Sequence, residues 1–145
     1  MPEPSLDRFL QAQERDYDVA MAELRSGRKR THWIWYVLPQ LEGLGRSPMA
    51  TAYGLAGQAE AVAYFNHPIL GARLVASVNA ILAHAVRDIT GILGEVDALK
   101  FRSCLTLFAS VASHEACFEA ALDAFYGGVP DPKTLELLGS GADEA

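Results

Sequence analysis

The chain has 145 residues, with 18 acidic against 12 basic side chains, a net charge of −6 and half its residues hydrophobic. That is one ordinary domain, able to bury roughly 68–70% of its unfolded surface without a disulfide or a metal. No run approaches the ~20 apolar residues of a membrane span, and the charge excludes a general nucleic-acid coat, which needs Lys and Arg spread over a broad face.

The start, MPEPSLDRFLQAQ, has acids where a signal peptide needs a basic and then apolar run, so a cytoplasmic location is expected. From Ser5 to Ser26, Leu6, Phe9, Leu10, Tyr17, Ala20, Met21 and Leu24 recur at the spacing of one amphipathic helix. Gly27 can close it in the left-handed conformation. Next comes the densest stretch of the chain, Arg28 to Pro48, RKRTHWIWYVLPQLEGLGRSP. Its HWIWYVL run reads as a short helix or as a buried extended segment, because aromatic and β-branched residues favour strands whereas the neighbours favour helix.

Ser47 before Pro48 is a helix start running to about Gly54. Gln58 to Phe65 is a short amphipathic piece, broken by Asn66-His67-Pro68, and Leu70, Leu74, Val78, Ile81 and Leu82 give Pro68 to Ala85 a core face. Asp88 to Leu93 suggests a helical turn ended by Gly94. Asp97 then caps a helix through Phe101, Leu105, Phe108 and Ala112; Ser113 caps another through Phe118, Ala121, Leu122 and Phe125; and Asp131 starts a last short helix through Leu135 and Leu138. The expected fold is all-α, a compact irregular single-domain bundle of about eight helices of uneven length over residues 1–139, with a flexible tail at 140–145.

Cys104 and Cys117 sit among apolar neighbours at helical spacing and read as buried thiols. With no CxxC and no His-x-x-x-His, neither a metal nor a cofactor is expected. His67, His84 and His114 lack a recognisable partner for acid–base work. The local cations and aromatics carry more chemistry. Lys29 and Arg30 could hold phosphate, Trp33 or Trp35 could stack a base, and His32 and Gln40 could orient polar groups. The plainer alternative is that the cations solvate a helix end and the aromatics are core. Asp97, Lys100 and Ser103 at i, i+3 and i+6 would lie along one stripe of a helix, either at a pocket rim or as a cap, an ion pair and a polar flank.

The segments RFLQAQ, AELRSGRKRTHWIWYVLPQLEGLG, YFNHPILGARL, GEVDALKFRSCLTLFA and FYGGVPDPKTLELL, spanning about Leu6 to Leu138, closely resemble the bacterial family known as domain of unknown function 1810. That resemblance implies a mainly helical single domain and no established activity. A fainter likeness is to the YbiA-like proteins of the NAD and ADP-ribose superfamily, whose early helix carries an acid before FQAQK. LDRFLQAQE is similar, RSPMATA looks like their SPM segment, and FNHPILGARL resembles their F-x-x-H-x-x-L stretch. The likeness places Asp7 where their acid falls, although Glu14 stands in place of their lysine.

Two functional expectations follow. In one, the protein binds or hydrolyses a nucleotide or ADP-ribose derivative, with Lys29, Arg30, His32, Trp33, Trp35, Gln40, Asp97, Lys100 and Ser103 as ligand residues and Asp7 as the catalytic acid. In the other, the same aromatics anchor a protein partner or a homodimer. A concave pocket with convergent polar groups would favour the first, and a flat exposed patch the second.

Overall fold

The structure, a computed structural model, describes residues 6–144; Ser5, the expected start of the first helix, and Ala145 lie outside them. Nine helices are present among the described residues: α1 (Asp7–Ser26), α2 (Ile34–Val37), α3 (Pro48–Tyr53), α4 (Gln58–Asn66), α5 (Leu70–Leu82), α6 (Ile89–Leu93), α7 (Glu95–Val111), α8 (Ala116–Tyr126) and α9 (Pro132–Glu144). The expected all-α class holds. The sole strand-like pairing among the described residues is an isolated parallel bridge between Leu41 and Leu55. None of these helices is long and apolar enough to cross a membrane.

Helix α7 forms the centre. Ser103 to Phe108 are buried in succession, which means the helix is enclosed on every side along that stretch, and it packs against α2, α4, α6, α8 and α9. Phe101, Leu105 and Phe108 join Phe9, Tyr64, Leu74 and Phe118 in one apolar core. Cys104 and Cys117 are in it too, and burial pushes the Cys104 thiol well above its usual range and the Cys117 thiol up to about 12.

The ambiguous HWIWYVL run is a single helical turn. A one-turn helix leaves most of its carbonyls without partners inside itself. Here the buried Gln13 amide of α1 donates to the Tyr36 carbonyl at 2.6 Å, while the Tyr64 hydroxyl accepts from the same amide at 2.9 Å. Those bonds let Trp33, Ile34, Tyr36, Val37 and Leu38 sit fully in the core.

Helix ends follow local chemistry. Gly27, at φ 81°, closes α1, and the His84 ring and Arg87 guanidinium reach its last carbonyls from the far end of α5. The Ser47 hydroxyl accepts from the Ala50 N–H, and the Asp131 carboxylate from the Thr134 N–H and hydroxyl. Two expected caps are corrected. Helix α7 starts at Glu95, directly after Gly94, because that glycine at φ 88° both ends α6 and turns the chain into α7; Asp97 therefore lies inside the first turn. Helix α8 is capped by Glu115, which accepts from the Cys117 N–H, and Ser113 is an exposed turn residue.

One buried carboxylate shapes the connection between α1 and α2. Glu23 lies on the core side of α1 and accepts from the N–H of Arg30 at 2.7 Å, the N–H of Thr31 at 3.0 Å, the Thr31 hydroxyl at 2.7 Å and the Trp33 indole N–H at 2.9 Å. Burial pushes this carboxyl upward, but the four donors outweigh burial and hold it at about 2, below its ordinary 4.5. A carboxyl lowered on folding stabilises the fold fully above pH ~4.5 and loses that contribution as pH falls towards 2. Glu23→Gln should therefore cost about 3 kcal/mol in urea unfolding at pH 7, with the gap to the unaltered protein closing steadily between pH 4.5 and 2.

The tightest helix approach is at Gly71, where an added Cβ would lie 1.9 Å from the Phe65 carbonyl oxygen. Only three residues separate α4 from α5, so the two cannot part without moving the core. Gly71→Ala should lower unfolding free energy by roughly 1–3 kcal/mol as an overpacking change, whereas Gly91→Ala, where a Cβ meets open space, should change it little.

Candidate functional site

The Glu23 carboxylate fixes the loop that carries Lys29. The Lys29 N–H donates to the Ile92 carbonyl at 2.7 Å, and its ammonium pairs with Asp97 at 2.8 Å, donates to the Thr31 carbonyl at 2.5 Å and lies 5.0 Å from the Trp33 ring centre. Its side chain is 5% exposed. Lys29 is thus a tie between the loop and α7.

Asp97 faces a second ammonium, that of Lys100, at 3.8 Å, and Lys100 in turn lies 5.2 Å from the Trp35 ring centre. The order in space is Trp33, Lys29, Asp97, Lys100, Trp35. One carboxylate thus serves two cations, and the closer contact belongs to Lys29.

Beyond Lys100 the surface opens into a cleft walled by Trp35, Gln40, Tyr53 and Lys100, with Ile34 and Leu38 among its apolar lining. Three of the residues read from the sequence, Trp35, Gln40 and Lys100, meet here from α2, the turn after it and α7. The cleft spans about 220 Å³ to its open mouth and admits about one water-sized body. Among the described residues, the Trp35 indole nitrogen is the one buried side-chain polar atom with no hydrogen-bond partner in the protein. Leaving such a donor unmet costs roughly 1–3 kcal/mol.

The bridge between Leu41 and Leu55 holds the cleft's edge. The Leu55 N–H donates to the Gln40 carbonyl at 3.0 Å and the Glu42 N–H to the Leu55 carbonyl at 2.8 Å. Close packing of this loop on α3 requires Gly45, because a Cβ there would come within 2.7 Å of the Ala50 side chain.

The other expected residues fall elsewhere. Trp33 is 1% exposed and gives its N–H to Glu23, so it has no face on which a base could stack. Ser103 is buried and donates to the Leu99 carbonyl of its own helix, so it is not at a pocket rim. Arg30 and His32 are exposed on the loop, held by their main-chain bonds to Glu23 and the Tyr36 hydroxyl. Asp7 is exposed in the first turn of α1 and does not line the cleft.

Sequence reasoning missed Tyr53 and the two buried polar residues that seat this region, Glu23 and Gln13. The signal was available for both, since Gln13 is four residues after Phe9, and Glu23 is three after Ala20 and next to Leu24, on the apolar stripe of α1.

Two wider grooves are already satisfied internally. In one, Arg8 bonds to the carbonyls of Ala52 and Gly54 at 3.1 Å each and to Glu60 at 2.8 Å. In the other, between α7, α8 and α9, Thr106 accepts from the Asp131 N–H at 2.8 Å and donates to the Arg102 carbonyl. No group of three or more His, Cys, Asp or Glu side chains among the described residues is placed to hold a metal.

Comparison with known proteins places this geometry in context. A family model described as a protein of unknown function, DUF1810, matches residues 3–138. The crystal structure of the conserved hypothetical protein Rv1873 from Mycobacterium tuberculosis is similar at 44% identity with a TM-score of 0.91, covering 92% of this chain and 96% of that one. No curated protein matches.

The two tryptophans should respond unequally to loss of the indole N–H. Trp33→Phe leaves Glu23 short of one donor in the core and should cost roughly 2–4 kcal/mol. Trp35→Phe removes an unmet donor and should cost at least 1 kcal/mol less. Chemical denaturation of both variants at pH 7 measures the difference.

Proposed function

The chain belongs to the DUF1810 family of proteins of unknown function, and we propose that it is a small-ligand binding protein whose site is the Trp35 cleft. The ligand is a nucleotide-like molecule, such as an ADP-ribose derivative, with a ring against Trp35 and Tyr53 and a polar group on Lys100 and Gln40. The observation that carries this reading is the convergence of Trp35, Gln40 and Lys100, from three separate segments, on one concavity. Sites for small molecules are concave, largely apolar and carry a few convergent polar groups.

The size of the cleft favours binding over turnover. Typical ligand pockets are roughly 300–1,000 Å³, whereas this cleft has room for only about one water-sized body below its open mouth, so at most the tip of one ligand group enters while the rest lies over the rim. Asp7 does not line the cleft, and the Asp97 carboxylate is held by Lys29 at 2.8 Å. General acid–base work needs a group within hydrogen-bond reach of the reacting atom, so neither acid supports hydrolysis here.

A second reading draws on a different observation. Val96 and Leu99, one turn apart on α7, are 65% and 66% exposed, and Val129, whose carbonyl accepts from Arg102 one turn further along α7, is 54% exposed. Such a patch suits a second copy of the chain.

Isothermal titration with AMP, NAD and ADP-ribose separates these readings. Micromolar binding of at least one, weakened tenfold or about 1.4 kcal/mol by Lys100→Ala, is the expected result. Lys29→Ala should instead lower stability, because it strips a buried ion-pair partner from Asp97. Silence from all three, with a sedimentation coefficient of a dimer that Leu99→Asp restores to a monomer, would favour the second reading.

A further inference from the structure

We infer that the chain carries a recognition surface apart from the cleft, a cationic corner around the last turn of α1 that docks an acidic segment of a partner protein. Arg25, Arg28, Arg30 and Arg87 form it, and none of them lines the cleft.

Arg25 lies in the last turn of α1, and Arg28 and Arg30 follow Gly27. Arg87 arrives from the turn after α5, its guanidinium donating to the Gly27 carbonyl at 2.8 Å. All four are exposed. A chain of net charge −6 with 12 basic residues thus gathers four arginines at one helix end.

Cations at a helix C-terminus ordinarily serve its unpaired carbonyls. Here that task is already filled. The His84 ring meets the carbonyls of Leu24 and Arg25 at 3.1 Å each, the N–H of Gly27 reaches Leu24 and that of Arg28 reaches Glu23, and the Ser26 hydroxyl donates to Glu23 as well. The guanidinium groups of Arg25, Arg28 and Arg30 are left over, and among the described residues none of the three has a hydrogen bond or an ion pair. The acids close by in the chain are engaged elsewhere: Glu23 by its four donors, Asp97 by Lys29, and Asp88 by the N–H and hydroxyl of Thr90.

The loop beneath these side chains is nonetheless fixed. The N–H of Arg28 is bound by the Glu23 carbonyl, that of Lys29 by the Ile92 carbonyl, and those of Arg30 and Thr31 by the Glu23 carboxylate. Free arginines on a main chain pinned at four successive residues lose less freedom on binding than arginines on a mobile loop.

The chemistry selects an acidic protein segment. Guanidinium forks take carboxylates bidentately. Val86, beside Arg87, is fully exposed and offers an apolar contact that a peptide side chain can match and a sugar–phosphate backbone cannot. Single-stranded nucleic acid is held by aromatic faces next to the cations, whereas Trp33 and Tyr36, the aromatics just after this loop, are buried; a duplex needs a broader basic face.

The test follows the nitrogen-15-labelled full chain by NMR against three probes: a short peptide of Asp and Glu with a central Leu pair, the same peptide with Asn and Gln in place of the acids, and an oligothymidylate of equal charge. The acidic peptide should move the main-chain cross-peaks of Arg28, Arg30 and Arg87 saturably, less so as salt rises from about 50 to 150 mM, while the neutral peptide leaves them in place. Arg28→Gln with Arg30→Gln should weaken the acidic peptide at least tenfold and leave urea unfolding unchanged, because the loop is held through main-chain groups that both variants keep. Oligothymidylate that moves the same cross-peaks at lower concentration than the acidic peptide would overturn the protein partner in favour of a nucleic acid. An acidic peptide that moves none of these cross-peaks, or that binds the double variant as well as the unaltered chain, would overturn the corner as a docking surface.

Discussion

The Glu23 carboxylate is the interaction on which this fold's arrangement rests. A charge buried beneath a loop costs several kcal/mol in lost hydration, and it persists here because four donors converge on it. Two of those donors are main-chain N–H groups of successive residues, Arg30 and Thr31, which fixes the path of the loop and not merely one side chain. The fourth, the Trp33 indole, fixes how α2 enters the core. With the loop so placed, Lys29 reaches Asp97, and the first turn of α7 is tied to the end of α1. Gln13 does the complementary task at the other end of α2, donating to the Tyr36 carbonyl. A helix of four residues, too short to satisfy its own backbone, is thereby held by one buried polar side chain at each end.

That arrangement separates two tryptophans only two residues apart. On a helical turn, positions i and i+2 point in widely different directions. Trp33 goes to the core against Lys29 and Glu23, and Trp35 goes to the wall of the cleft against Lys100. Asp97 stands between the two lysines, so the structural ion pair and the outward-facing cation share one carboxylate. Of the aromatics in this stretch, Trp33 and Tyr36 are buried in the core and Trp35 lines the cleft.

Much of the fold was legible from the chain. The apolar spacing of α1, the Ser47-Pro48 start, the Asn66-His67-Pro68 break and the Asp131 cap all stand in the structure because each rests on strictly local chemistry, a period, a hydroxyl or a missing N–H. Asp97 as a cap was misread because Gly94 already turns the chain, and a glycine at positive φ leaves no pattern that distinguishes helix end from helix start. The ambiguity of HWIWYVL could not be settled locally, since the deciding bonds come from Gln13, 23 residues before Tyr36. At the site, residue types were readable but their partners were not. Lys29, Trp33 and Ser103 carry the right chemistry for ligand work and are consumed by the fold, through Asp97, Glu23 and the Leu99 carbonyl respectively. Glu23 and Gln13 were overlooked because polar residues on an apolar stripe read as interruptions, when here they are the points that hold the core together.

The most direct measurement is a carbon-13 NMR titration of the Glu23 side-chain carboxyl in the folded protein, from pH 6 downwards. A carboxylate receiving four donors titrates at about 2, with acid unfolding arriving before or with its protonation. A midpoint near 4.5 in a protein still folded would mean that the four bonds do not hold the charge, and that the loop, Lys29 and the cleft beyond it are organised by something else.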